Sequence, residues 1–125
     1  MAKDQNTWAG FGVQGTKREG VTCTMNPFAI NTKVTQAHGL GVVPNFIDFY
    51  AECLIAEQGY SIGDRIGPLV VESSGYGAHY ALDATNVVIL AGGAQLRAVN
   101  KTTPAGSVAL TSLDWKVEAV PWVNN

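Results

Sequence analysis

A chain of 125 residues, 46% hydrophobic and 14% charged, carries enough apolar side chain for one packed core and has no room for a second domain. A net charge of -2, with no basic cluster beyond Lys17-Arg18, excludes a phosphate-tracking surface, and no apolar run approaches the roughly 20 residues of a membrane helix. The predicted partners therefore include neither nucleic acid nor membrane.

Residues 1–25 read as an extended N-terminal arm. The stretch MAKDQNTWAGFGVQGTKREG scatters its glycines and polar residues without a period and isolates two aromatic side chains, Trp8 and Phe11. Large apolar groups spaced by small ones are how an extended peptide offers anchors to a partner, so Trp8 and Phe11 are the predicted partner-binding residues of the arm. Residues 1–6 are polar where a secretion signal needs an apolar run, so synthesis in the cytoplasm is expected. GFGVQG satisfies the glycine spacing of a dinucleotide-binding turn, but that turn needs a strand before it and a helix after it. Neither is predicted, and no cofactor is expected.

Residues 26–125 are predicted to form a single antiparallel β-sandwich of about six strands, since the apolar period keeps returning to two and glycine-rich turns recur. The predicted strands cover 30–36, 46–55, 65–73, 78–84, 87–90, 95–100 and 112–121. Between the first two lies AHGLGVVP, with His38 between two potential turns. Gly39 and Gly41 supply permissive backbone and Pro44 fixes the approach to the next strand, so the stretch reads as a crossing and His38 as a structural histidine. On strand 46–55, Ile47, Phe49, Ala51, Cys53 and Ile55 form a core face, and Phe46, Asp48, Tyr50, Glu52 and Leu54 form a mixed face. Asp48 and Glu52 stand ~13 Å apart along that strand, too far to share a proton or flank a glycosidic bond. The mixed face is expected to be covered in part by a neighbouring subunit.

His38 and His79 have no acidic or cysteine neighbours at ligand spacing, and Cys23 and Cys53 form no metal-binding pair, so no metal site is predicted and both thiols are expected to be reduced. In SGYGAHY, Tyr76, His79 and Tyr80 gather aromatic and hydrogen-bonding groups on a glycine-rich loop and the strand leaving it. They are the candidate ligand or receptor contact, of the kind that stacks on sugars. On the last strand Trp115, Val117 and Ala119 alternate with Asp114, Lys116 and Glu118, which places the Trp115 indole in the core. No catalytic constellation emerges, and the expectation is a protein that is not an enzyme.

The order VTQAHGLGVVPNFIDFYAECLIAEQGYSIGDRI, then YALDATNVVILAG, then LTSLDWKVEAVPW resembles the small β-sandwich modules of tailed-bacteriophage virion proteins. Its plan is also similar to the H-type lectin fold, with a Pro-led strand and a tryptophan on the terminal strand. The resemblance covers residues 30–122 and implies a sandwich that trimerises. It carries over no sugar-binding residue position by position. With the low charge and the arm, it implies a capsid decoration or cement protein located in the virion, with itself as a homotrimer and the major capsid protein or other virion proteins as partners. The alternative is a carbohydrate-binding receptor-recognition module of a tail fibre, with a host surface glycan as partner.

Overall fold

The computed structural model describes residues 16–67, 75–104 and 106–124. In chain order its strands are β1 (Lys17–Glu19), β2 (Cys23–Met25), β3 (Lys33–Ala37), β4 (Phe46–Cys53), β5 (Arg65–Ile66), β6 (Ala78–Leu82), β7 (Asn86–Ala91), β8 (Arg97–Val99), β9 (Ser107–Ala109) and β10 (Trp115–Asn124), with a 3-10 turn at Ser112–Asp114. Trp8, Phe11 and the glycines of GFGVQG lie outside the described residues.

β10 organises the larger sheet. Along it Trp115, Val117, Ala119, Pro121 and Val123 are buried and the residues between them are partly exposed. This is the two-residue period of a strand with one face on a core. β4 pairs along one side of it, from Trp115↔Cys53 to Trp122↔Phe46. β5 adds to the other edge of β4 through Ala51↔Ile66 and Glu52↔Arg65. The remaining side of β10 takes two short strands in succession, β2 at residues 117–119 and β1 at residues 122–124. They are separated at Gly20, whose N–H still donates to the Pro121 carbonyl at 2.9 Å. A Cβ at Gly20 would sit 2.7 Å from the His38 carbonyl oxygen, so only glycine permits this approach.

The smaller sheet runs β3-β7-β6, all antiparallel, and β8 and β9 form a separate hairpin. Between the sheets, Cys23 and Met25 of β2, Ala51 and Cys53 of β4, and Trp115, Val117 and Ala119 of β10 meet Ala78 of β6 with Val87 and Ile89 of β7. Phe28, Leu96 and Leu110 join the same cluster from the connecting segments. The fold is thus all-β and antiparallel, a sandwich about one core. Both cysteines are buried free thiols, and burial pushes each above the usual thiol range. They stand opposite Ala119 and Trp115, four positions apart along β10, which keeps them from bridging.

Three expectations need correction. The arm does not extend to residue 25, because β1 and β2 belong to the sheet and Cys23 and Met25 to the core. Strands of three residues show no readable period, and their partner lies at the opposite end of the sequence. Ile55 leaves the predicted core face because β4 ends at Cys53, and it is 55% exposed. The strand predicted over 112–121 begins only after the 3-10 turn and continues to Asn124, while Ser-Val-Ala at β9 carries no alternation from which a strand could be read.

Candidate functional site

His38 is the first residue a search for a catalytic base would take, and its surroundings give it a different task. The ring is 1% exposed. Its Nδ1 accepts the Leu40 N–H at 3.1 Å, which leaves Nε2 to donate to the Asp83 carbonyl at 2.8 Å. The His38 N–H reaches the Thr85 carbonyl and its carbonyl accepts the Val21 N–H, each at 3.0 Å. One residue therefore ties the end of β3 to the β6–β7 turn and to the gap between β1 and β2, and neither ring nitrogen remains for a substrate proton. The following glycines take φ of +74° and +79° at Gly39 and Gly41, a region side chains disfavour, as the chain crosses from the smaller sheet to the larger.

Tyr76, His79 and Tyr80 are not brought to one surface. His79 and Tyr80 are successive residues of β6 and point to opposite faces. The Tyr80 ring tilts against Phe49 with centroids 5.2 Å apart, whereas the Tyr76 ring lies under the Arg97 guanidinium at 4.7 Å.

The outer face of the larger sheet is knitted by its own side chains. Glu118 accepts the Tyr50 hydroxyl at 2.6 Å and the Thr24 hydroxyl at 3.1 Å. Lys116 stands 3.8 Å from Glu52 and 3.7 Å from Glu118, and Arg65 Nε meets Glu52 at 3.0 Å. Burial pushes the Tyr50 hydroxyl up to about 12, helped by its bond to Glu118. For Glu118 burial acts to raise the pKa, but the hydroxyls of Tyr50 and Thr24 and the charges of Lys116 and Arg65 outweigh it and hold the carboxyl below its ordinary value. The polar half of the mixed face is in this way satisfied within the chain.

At the β10 end of the sheet the arrangement is different. Phe46 stacks on Trp122 with centroids 4.2 Å apart and planes 18° from parallel, and the Lys17 ammonium lies 4.6 Å from the Trp122 ring centre. Phe46 is nevertheless 45% exposed, and Val42 and Val43 in the loop before it, with Val21 on the other flank of β10, are each more than half exposed. Trp122 Nε1 is buried and has no acceptor among the described residues. β1, the first described strand, runs into this end.

A cleft of about 410 Å³ opens at the other end of the sheet, walled by Tyr60, by Arg65 and Ile66 of β5, and by β8. Arg65 stacks at 4.1 Å on the Tyr50 ring. Sequence reasoning passed over these arginines because they stand 32 positions apart and only the pairing of β5 with β4 and of β8 with β9 positions them. It also passed over Glu57, whose carboxylate accepts the Trp115 Nε1–H at 2.7 Å and the Thr111 N–H at 2.9 Å. Asp114 lies beside it, and burial and the Glu57 charge raise the Asp114 carboxyl above its ordinary value.

Among the described residues no group of three or more His, Cys, Asp or Glu side chains is arranged to hold a metal ion. No known protein family, characterised protein or solved structure matches the chain.

Proposed function

We propose that the chain is a non-enzymatic structural subunit of a bacteriophage particle, a capsid decoration protein that docks through its N-terminal segment and the adjoining end of the sandwich. The observation that carries this reading is the set of exposed apolar residues Val42, Val43 and Phe46, with Trp122 stacked on Phe46, at the end of the sheet where β1 pairs with β10; Trp8 and Phe11 precede β1 in the sequence. Two apolar side chains that precede β1 in the sequence, together with an exposed aromatic stack beside β1, are the residue types that act as hot spots in a docking surface. The virion-module resemblance of residues 30–122 supplies the kind of assembly, and a homotrimer is the form in which the subunit would meet a shell.

The test is co-sedimentation. Particles from cells producing the chain are banded on a density gradient and its copies per particle are counted, with the isolated chain's mass measured by light scattering. The expected result is a fixed high copy number for the intact chain, loss of it on deletion of residues 1–15, and loss on Trp8→Ala with Phe11→Ala. The deletion removes no strand described above, so its thermal midpoint should stay within about 2 °C of the parent. Absence of the intact chain from particles overturns the reading. Full occupancy by the truncated chain moves attachment to the sandwich alone, where Phe46→Ser and Val43→Asp would then abolish it.

A further inference from the structure

The cleft beside β5 and β8 is bordered by main chain that the ladders of these strands leave unused. In an antiparallel ladder, alternate residues turn their N–H and C=O groups toward the partner strand, and the residues between turn theirs away. Cys53 N–H of β4 donates to the Asp64 carbonyl at 2.8 Å, and Ala51 stands opposite Ile66. Ile66 therefore faces β4, while the main chain of Arg65 and Gly67 turns away from it. In the β8–β9 hairpin, Leu110 N–H donates to the Leu96 carbonyl at 2.8 Å, and Ala98 stands opposite Val108. Ala98 therefore faces β9, while Arg97 and Val99 turn away. These four residues all line the cleft, and the Val99 carbonyl accepts the hydroxyl of Tyr60, a further lining residue, at 2.7 Å. Among the described residues, the backbone N–H groups of all four and the carbonyls of Arg65, Gly67 and Arg97 have no hydrogen-bond partner.

From this arrangement we propose that the cleft takes a short extended acidic segment of another protein as an added strand, paired by its main chain to the outward groups of Arg65, Gly67, Arg97 and Val99. Unpaired strand edges are templates for such addition. An edge of three residues is ~10 Å long, so about three residues of the segment would be paired. Ile66 and Ala98 pack against the core, so every second side chain of the added strand would lie over an apolar floor. Arg65 and Arg97 precede those residues and point to the opposite face, where Arg97 bonds the Ser107 hydroxyl. The charged residues that line the cleft are both cations; Arg65 is paired with Glu52, and Arg97 has no carboxylate within ion-pair distance among the described residues. Charge complementarity to Arg97 therefore selects a carboxylate between two apolar side chains. The inference is independent of the assembly reading, because it uses the other end of the sheet.

The experiment is a titration of the full chain with end-capped peptides, followed by backbone amide NMR signals and amide hydrogen exchange at low salt. The probes are Thr-Val-Glu-Val-Thr, its analogue with lysine in place of glutamate, a copy N-methylated at the glutamate and the following valine, and a peptide of residues 1–15. The glutamate peptide should bind with Kd on the order of 1 mM, and should shift the amides of Arg65, Gly67, Arg97 and Val99 and slow their exchange. The lysine analogue should bind at least about 5-fold more weakly. The N-methylated copy keeps the side chains and loses main-chain donors toward both edges, so it should leave those amides unchanged. Val99→Pro removes one outward N–H from a strand edge, where proline is tolerated, and should weaken binding at least about 5-fold. Arg97→Gln should erase the preference for glutamate over lysine, whereas Lys33→Gln should change nothing. Thermal midpoints separate loss of binding from loss of fold, and the N-methylated peptide decides on the unaltered chain if Val99→Pro opens the hairpin. Equal binding by the N-methylated copy or by the lysine analogue, shifts that miss all four amides, undiminished binding by folded Val99→Pro, or no binding by any probe overturns the proposal. Tighter binding by the peptide of residues 1–15 overturns it too, because the occupant would then be a second copy of this chain.

Discussion

Trp115 and Trp122 sit on the same strand and differ in what their indole N–H meets, a difference large enough to measure. Trp115 is fully buried, bonded to Glu57, and edge-on to Tyr60 at 5.4 Å. Trp115→Ala should cost about 3–5 kcal/mol in urea unfolding, and Trp115→Phe about 2 kcal/mol, because the smaller ring leaves Glu57 with only its Thr111 donors. Among the described residues Trp122 Nε1 has no hydrogen bond to lose. Trp122→Phe should keep the stack on Phe46 and cost less than about 1 kcal/mol. A reversed order would overturn the assignment of which indole is anchored. The Tyr50–Glu118 contact adds a pH dependence. Glu118 is held below its ordinary value, so its contribution is present at neutral pH and is lost as the pH falls through the acid range. Tyr50 is raised from 10.0 to about 12, so its contribution is intact below pH 10 and disappears as the pH climbs toward 12. Urea midpoints plotted against pH should show a shallower acid limb in Glu118→Gln and a shallower alkaline limb in Tyr50→Phe. Asp64 and Asp83, both lowered by backbone N–H bonds, add to the acid limb with the same sign and keep it from vanishing.

Among the elements, β2 is the one whose loss separates a docking arm from a piece of the fold. Removing residues 1–15 leaves β1 and β2 on β10, but removing residues 1–25 takes Cys23 and Met25 from the core and strips β10 of both strands on that side, leaving the Phe28 N–H on the Trp115 carbonyl. The shorter deletion should unfold cooperatively with near-parental stability, and the longer one should be unfolded or aggregated at 25 °C by circular dichroism. Equal stability of the two would mean that β2 contributes nothing. This boundary was hard to read from the sequence because Cys-Thr-Met has no recognisable period and follows twenty glycine-rich residues. β4 and β10 were legible for the opposite reason, since eight or more residues of alternation leave little choice of face. The crossing at HGLGVVP was legible through its glycines and proline. The arginine cleft was not, because it depends on two- and three-residue strands that tertiary pairing creates.

At the scale of the whole molecule, the aromatic pair and the arginine cleft mark opposite ends of β4. Phe46 stands in one pair and Glu52, opposite Arg65, near the other, roughly 20 Å along the strand. The position of β10 between β4 and the paired β1 and β2 has a temporal consequence as well. β10 is synthesised after every strand it joins, and Cys23 must wait for Ala119, so a nascent chain exposes the edge of β4 and the inner faces of β2 and β7 until that strand emerges. Such non-local closure places refolding on the order of milliseconds to seconds, and crowding during synthesis is when this sequence is most open to intermolecular strand pairing.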